Sequence, residues 1–181
     1  YHSGSWIYQY DGTNFIPKFQ LPDAAGAAAS KGNINAIAFD KPGTTAYIVS
    51  RKNHVIYKAS YDMATGEFSD VKLLAGSFGV TGYADGTGTS AQFNEPSQGD
   101  VDEEGNFYVA DRGNHCIRVI TPDGEVSTYA GQNKAGMVDG IASLAEFNNP
   151  EGCQIGPDGA LYVADYSNHA IRKVEDGPAQ P

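Results

Sequence analysis

The chain has 181 residues, of which 40% are hydrophobic and 22 are glycine, and its formal net charge is −10. These values indicate a globular chain with many turns rather than a disordered one. The acidic charge argues against binding to a nucleic acid backbone, which needs clustered lysine and arginine. We therefore expect no nucleic acid partner. No apolar run reaches the roughly 18 residues of a membrane span, so we also expect no direct membrane insertion by this segment.

The first 31 residues contain one recognisable feature, the apolar stretch Trp6-Ile7-Tyr8. It aligns with Cys116-Ile117-Arg118 in a later part of the chain. Residues 1–31 are therefore predicted to hold the last two strands of a partial unit, followed by a linker. The alanine-rich stretch 24–30 is short and is interrupted by Gly26, so it is predicted to be a loop or a single turn.

Three further units follow, and the later two are nearly the same sequence written twice. Residues 93–119 align with 147–173 without a gap, and residues 32–58 give a weaker third copy. The units are predicted at 32–93, 94–147 and 148–181, the first two ending in a long loop and the last one partial.

Each unit has short runs rich in Val, Ile, Tyr and Phe, bounded by Gly, Pro, Asn and Asp, which is typical of β-strands joined by hairpins. In the middle unit the predicted strands are 99–102, 106–111, 116–121 and 125–130. Four antiparallel strands, labelled a to d, in a unit of roughly 40–55 residues predict a β-propeller blade.

The predicted fold class is therefore an all-β propeller of four-stranded antiparallel blades. Both alternating faces of runs such as 106–111 are apolar, which is typical of a sheet covered on two sides. The chain holds about three and a quarter blades, whereas propellers close with about four to eight. We therefore expect it to be part of a longer propeller, in which further blades are its first partners.

The segments Asn114-His115-Cys116-Ile117-Arg118 and Asn168-His169-Ala170-Ile171-Arg172 resemble the motif of the NHL-repeat family. The resemblance implies a propeller, most often with six blades. Each long loop contains an Ala-Gly pair, an Asp-Gly pair and an Ala-x-Phe segment, in that order. This arrangement resembles that of bacterial cell-envelope proteins, which are often lipoproteins with an immunoglobulin-like IPT/TIG module ahead of the propeller. This resemblance implies an extracytoplasmic location, at the bacterial cell surface or in the periplasm.

The positions that recur between units are interpreted as structural. An Asp at the end of strand b and an Arg in strand c are expected to lie diagonally on one face of a hairpin and to pair. In the first unit Ser50 and Tyr57 replace them. The recurring residues are Asn53, His54, Asp111, Asn114, His115, Arg118, Asp165, Asn168, His169 and Arg172.

The three recurring histidines could form a ring that holds a metal such as Zn²⁺. They belong to the b–c turns, however, whereas strand a lines a propeller axis, so we interpret them as turn residues. No metal ligands and no cofactor are predicted, and Ca²⁺ or Zn²⁺ at the axis stays open without a motif to support it. Cys116 and Cys153 are interpreted as small core residues, with a disulfide between neighbouring blades left open.

The candidate binding residues are those that differ between units. The long d–a loops should emerge on the same face as the b–c turns, and long loops in compact domains are often functional. Asp85 and Asp139 have an alternative reading as ordinary Asp-Gly turn residues. The loop candidates are Phe78, Tyr83, Asp85, Met137 and Asp139, and the strand-a candidates are Asn35, Asp100 and Gln154.

No nucleophile or metal-hydrolase motif occurs in the chain, so no catalytic residue is predicted. The leading hypothesis is a non-catalytic binding or scaffolding propeller of the bacterial cell envelope, engaging a protein, peptide or glycan through its loop face. The alternative is a metal-dependent lactonase, hydrolase or lyase with its site at the central axis. That alternative requires polar metal ligands on strand a of several blades.

Overall fold

The structure, a computed structural model, describes residues 34–174 together with the backbone of two N-terminal strands and Thr13. These strands, β1 (Trp6–Tyr10) and β2 (Phe15–Gln20), form an antiparallel hairpin. It occupies the place of the two strands predicted for the partial first unit. The predicted loop at 24–30 lies outside the described residues.

Three antiparallel sheets follow, which we call blades 1 to 3. Blade 1 contains β3 (Ile34–Phe39), β4 (Thr45–Ser50), β5 (Val55–Asp62) and β6 (Glu67–Ala75). Blade 2 contains β7 (Gly86–Thr87), β8 (Pro96–Val101), β9 (Phe107–Asp111), β10 (Cys116–Ile120) and β11 (Glu125–Ala130). Blade 3 contains β12 (Pro150–Ile155), β13 (Leu161–Asp165) and β14 (Ala170–Val174).

The blades stack face to face and share apolar cores. One core between blades 1 and 2 includes Tyr47, Phe93 and Phe107, and another between blades 2 and 3 includes Phe147 and Val163. The first strands of neighbouring blades, β3 with β8 and β8 with β12, lie against each other, as expected where blades surround a central axis. The predicted all-β propeller fold is confirmed.

Blade 2 has one strand that was not predicted. The loop of residues 76–95 runs from the outer strand of blade 1 to the inner strand of blade 2, and on the way β7 pairs with the outer strand β11. The loop therefore lies along the blade that follows it. The helical segments among residues 34–174 are three-residue 3₁₀ turns, and no helix in this part is long and apolar enough to cross a membrane.

The first strand of every blade begins with a register shift. The shift lies between Ile34 and Ala36 in β3, between Pro96 and Gly99 in β8, and between Pro150 and Gly152 in β12. These are β-bulges, which redirect the extra residue away from the regular pleat. The strand predicted at 99–102 begins three residues earlier in the structure, because β8 starts at Pro96. Proline is tolerated at the first position of a strand.

Candidate functional site

The long d–a loop of residues 76–95 is held on blade 2 by Arg118 of β10. The guanidinium group donates hydrogen bonds to the carbonyl oxygens of Ala84 (2.8 Å) and Gln92 (3.1 Å). It also forms an ion pair with Asp111 at 3.0 Å, and both side chains are fully buried. The diagonal Asp–Arg pair predicted from the repeat is therefore present, and its arginine also binds the loop backbone.

The Asp111 carboxylate accepts three hydrogen bonds in this buried position. They come from the backbone N–H of Asn94 (2.8 Å), the side-chain amide of Asn114 (2.8 Å) and Arg118. Burial raises the pKa of Asp111 to about 6, although these three donors favour the charged form. At neutral pH the carboxylate is therefore ionised and balances the buried guanidinium.

Blade 3 repeats this arrangement with Arg172. The guanidinium pairs with Asp165 (3.0 Å) and donates to the carbonyl oxygens of Val138 (3.0 Å) and Glu146 (3.3 Å). It also contacts the exposed carboxylate of Asp139. Each repeated Asp–Arg pair thus binds the loop that enters its own blade.

The recurring asparagines make matching contacts. Asn114 and Asn168 each donate to a carbonyl oxygen of the entering loop at 2.7 Å and to the buried aspartate of their own blade at 2.8 Å. In blade 1, where Ser50 replaces the aspartate, Asn53 donates to its hydroxyl at 3.0 Å. The asparagine therefore donates a hydrogen bond to the last residue of strand b in all three blades. That residue is an aspartate in blades 2 and 3 and a serine in blade 1.

The histidines connect one blade to the next. His54 Nδ1 accepts a hydrogen bond from the backbone N–H of Glu95, and His115 Nδ1 accepts one from Asn149, both at 3.0 Å. His54, His115 and His169 each end a 3₁₀ turn in the left-handed conformation. These hydrogen bonds use the Nδ1 lone pairs of His54 and His115. A metal ion bound on that side of either ring would need the same lone pair.

The two bonded histidines favour the neutral state. Burial lowers the pKa of His54 below its ordinary value, against an opposing effect of Glu95. Burial and the positive charge of Arg112 lower the pKa of His115, against an opposing effect of Asp165. At neutral pH both rings are therefore available as hydrogen-bond acceptors.

The candidates in the first long loop are largely engaged in holding it. Asp85 pairs with Arg118 at 2.6 Å and accepts a hydrogen bond from the Thr128 hydroxyl at 3.2 Å. The Tyr83 hydroxyl lies 3.2 Å from the same Thr128 oxygen, and its ring lies 5.3 Å from the Arg118 guanidinium. Phe78 packs against a second apolar cluster of blade 1, which includes Ile48 and Tyr57.

The second long loop is more exposed. Met137 is 64% exposed, and the Asp139 side chain is 90% exposed while it contacts Arg172. Further exposed apolar side chains in this loop are Val138, Ile141 and Leu144. A candidate contact surface is therefore present at Met137, whereas Asp139 has a partner within the chain.

The three strand-a bulges bring equivalent residues together at the loop face. The extra residues are Asn35 in β3, Ser97 in β8 and Glu151 in β12. Asn35 donates a hydrogen bond to the Ser97 hydroxyl at 3.0 Å, and Ser97 donates to Glu151 at 3.2 Å. A continuous polar chain thus crosses the inner strands of three blades.

Two arginines from the b–c turns join this chain. Glu151 accepts hydrogen bonds from Arg51 (2.7 Å) and Arg112 (2.8 Å). Glu95 lies 3.0 Å from Arg112 and 3.7 Å from Arg51. Each carboxylate therefore faces both guanidinium groups, and the four side chains remain 21–42% exposed. We call Asn35, Ser97, Glu95, Glu151, Arg51 and Arg112 the axial-mouth network.

The other strand-a candidates lie further along the strands. Asp100 accepts a hydrogen bond from the backbone N–H of Ile155 at 3.0 Å and one from Val101 at 2.9 Å. Gln154 is exposed on β12. The structure therefore brings Asn35 into the network and leaves Asp100 and Gln154 outside it.

Sequence reasoning missed five of the six network residues. Their signal is variation at equivalent repeat positions, where Asn35, Ser97 and Glu151 correspond to one another. In the b–c turn Arg51 and Arg112 correspond to Tyr166. The bulges that aim the strand-a residues depend on pairing register, which the sequence alone did not give.

Within residues 34–174, no group of three or more His, Cys, Asp or Glu side chains is placed to hold a metal ion. Cys116 and Cys153 are free and buried. Burial raises the pKa of both thiols, which keeps them protonated and unreactive. The Cys153 sulfur lies 3.6 Å from the carbonyl oxygen of Tyr108 in the blade before it.

Comparison with known proteins identifies the repeat. Residues 93–120 and 147–174 match the NHL repeat. Over 81 residues the chain is 38% identical to NHL repeat-containing protein 2 of Bos taurus, covering 44% of this chain and 11% of that protein. The chain thus spans a small part of this relative.

Two solved structures from Bacteroides are also similar. An auxiliary nutrient binding protein from Bacteroides thetaiotaomicron is 30% identical with a TM-score of 0.82, covering 94% of this chain and 43% of that one. Its counterpart from Bacteroides ovatus is 33% identical with a TM-score of 0.73, covering 82% and 38%. The chain therefore carries two NHL repeats, at residues 93–120 and 147–174, and has the β-propeller fold of the proteins that it resembles.

Proposed function

We propose that this chain is part of a non-catalytic binding propeller that engages a protein, peptide or glycan at the face formed by its b–c turns and d–a loops. Further blades would complete the ring. The ligand would be seated at the axial-mouth network, with the exposed side of the second loop around Met137 as an additional contact.

The observation that carries this proposal is the pairing of Arg51 and Arg112 with Glu95 and Glu151. These side chains come from three blades and meet at 2.7–3.7 Å while staying partly open to solvent. A guanidinium group can bind carboxylates through two parallel hydrogen bonds. A ligand with carboxylate or hydroxyl groups could therefore replace part of the internal pairing.

The surrounding scaffold supports this role. Bulge residues on β-strands and short 3₁₀ turns position the network, and sites on such elements are more precise than sites on free loops. The long loops beside it are fixed by the buried Arg118 and by Arg172. The binding face would therefore be largely formed before the ligand arrives, which lowers the cost of ordering it.

The enzymatic alternative has less support from the inner strands. A metal at the axis would need ligands directed inward from several blades. The polar residues at the mouth are Asn35, Ser97 and Glu151, and they bond to one another and to arginines. A location outside the cytoplasm is also part of our proposal, suggested by the nutrient binding proteins that the chain resembles.

The test begins with the intact protein that carries this chain, screened against arrays of glycans and peptides. Affinities of the hits are then measured by calorimetry for the wild type, Arg112→Gln and Glu151→Gln. We expect at least a tenfold loss in both variants, because each removes a charged group from the mouth. Lys72→Gln is the matched control, since Lys72 is an exposed residue of the outer strand β6.

Equal affinity of the wild type and Arg112→Gln would place the ligand elsewhere and overturn the proposed site. Metal analysis of the intact protein addresses the function itself. A stoichiometric metal that resists dialysis, together with lactone hydrolysis, would replace the binding role by the enzymatic one.

A further inference from the structure

A cavity of about 500 Å³ opens on the face opposite the axial-mouth network, where the a–b turns lie between blades 2 and 3. Its volume falls within the range of about 300–1,000 Å³ that is usual for small-molecule sites. Its apolar and aromatic wall consists of Tyr108, Tyr129, Ile155 and Leu161. The charged residues at its edge are Asp102, Glu103, Glu104 and Lys41.

The preceding junction explains why the space is open. Between blades 1 and 2 the rings of Tyr47 and Phe107 stack with centroids 5.1 Å apart, and the Tyr47 hydroxyl donates to the Gly105 carbonyl oxygen at 2.7 Å. In the repeat, Tyr47 corresponds to Tyr108, and Phe107 corresponds to Leu161. The smaller leucine leaves the second junction without this stacked ring.

At the second junction the equivalent tyrosine, Tyr108, contacts a second aromatic ring. Tyr108 meets Tyr129 of β11 edge to face, with ring centroids 4.9 Å apart and planes at 85°. Tyr47 is 1% exposed, whereas Tyr108 is only partly buried. Two electron-rich rings therefore line the cavity instead of closing it. Aromatic faces attract cations through their quadrupole.

The charge around the cavity has the complementary sign. Glu103 and Glu104 are exposed, and Asp102 is held by the backbone and side-chain amides of Asn106 at 2.7 and 2.8 Å. Lys41 is the cation among the described lining residues. Three carboxylates against one ammonium group give an edge that attracts positive charge.

We propose that this cavity is a second binding site, for a small organic cation that carries a primary or quaternary ammonium group. The aromatic pair contacts the cationic group, and the carboxylates at the edge balance its charge. Ile155 and Leu161 contact the apolar part of the ligand. The site lies on the other face from the axial-mouth network and does not depend on the function proposed there.

The experiment titrates the intact protein with choline and with putrescine, and uses glucose and acetate as uncharged and anionic comparisons. Tyrosine signals in NMR spectra report on the cavity directly. We expect saturable shifts with at least one of the two cations and none with glucose or acetate. No saturable shift with either cation, or equal shifts with glucose, would overturn the proposal.

Variants connect the binding to this cavity. Leu161→Phe copies the residue at the equivalent closed junction, so it should fill the space and weaken cation binding at least tenfold. The pair Glu103→Gln and Glu104→Gln should weaken it severalfold with the core untouched, whereas Glu67→Gln on outer strand β6 should leave it unchanged. Full affinity in both the filled and the neutralised variants would place the cation elsewhere and reject the site.

Discussion

His115 Nδ1 lies 3.0 Å from the backbone nitrogen of Asn149, so a turn of blade 2 accepts a hydrogen bond from the residue that leads into the first strand of blade 3. His54 and Glu95 make the same contact one blade earlier. Both bonds need a neutral imidazole, because a protonated Nδ1 would face the N–H with another donor.

The contribution of these two hydrogen bonds to stability should therefore fall as the pH drops. Since the folded-state pKa of His54 and of His115 is lowered, their contribution is complete above the ordinary value of about 6.5 and is lost as pH falls through the lowered pKa. The double variant His54→Asn, His115→Asn should therefore gain stability relative to the wild type as the pH falls, measured by urea unfolding between pH 7.5 and 5. Each bond should account for about 1 kcal/mol.

Asparagine tolerates the left-handed conformation of these positions and does not titrate. Lys52→Asn is the control, because Lys52 is an exposed residue of the turn that precedes His54 and makes no part of either bond. An unchanged pH dependence in the double variant, or an equal effect of Lys52→Asn, would contradict the assignment of the acid sensitivity to these junctions.

The buried ion pair of blade 2 should dominate loop anchoring. Asp111→Asn leaves the fully buried Arg118 guanidinium without its buried counter-charge, and such a loss costs about 3–5 kcal/mol. Asp85→Asn removes the half-exposed partner of the same arginine and should cost at most about 1 kcal/mol. Urea unfolding measures the loss in unfolding free energy for each variant. Similar losses would mean that Asp85 neutralises more of the Arg118 charge than its exposure indicates.

The glycine of the Ala-Gly pair should be sensitive to substitution. Gly131 has a φ of +99°, and an added Cβ would lie 2.8 Å from the His115 carbonyl oxygen and from Cys116 Cα. Gly159 has a φ of +79° with nothing within 4 Å of an added Cβ. Gly159→Ala should therefore cost about 1–2 kcal/mol from the backbone, and Gly131→Ala about 1–3 kcal/mol more from crowding.

Thermal or urea unfolding of the two alanine variants tests this expectation. A Gly131→Ala variant as stable as Gly159→Ala would indicate that the strand end moves away from the b–c turn without loss.

The thiols should be unreactive in the folded chain. Cys116 is fully buried and Cys153 is 7% exposed, and burial raises the pKa of both. Reaction with Ellman's reagent at pH 8 should therefore be slow until urea unfolds the protein. Lys72→Cys, on an exposed position of a Cys116→Ala, Cys153→Ala background, supplies the fast reference. Rapid labelling of the native wild type would reveal opening of the blade junctions around these thiols.

Strands with dense apolar residues were predictable from sequence, whereas the details set by pairing register were not. The predicted strand 125–130 matches β11, and 116–121 differs from β10 by one residue. The prediction for strand a missed Pro96, Ser97 and Gln98, because a proline and a polar pair give no β signal. Two-residue β7 exists only because the entering loop reaches the outer edge of blade 2.

The candidate site was likewise predictable only in part from the sequence. Asn35 could be chosen because strand a is expected at the axis, but Ser97 and Glu151 become its neighbours through the bulges. Arg51 and Arg112 are separated from Glu151 by 100 and 39 residues. Contacts over such distances follow from the order of the blades around the axis. Local sequence patterns do not contain that information.

The anchoring of each long loop by the blade that follows it has a consequence for protein engineering. A cassette of residues 77–131 would carry the loop of residues 77–95 together with Asp111, Asn114 and Arg118, which bind it. A cassette cut at Phe93 and Phe147 would separate a loop from its anchors at both ends. Blade transplantation or recombination between related propellers should therefore place its crossover points at the Ala-Gly pairs.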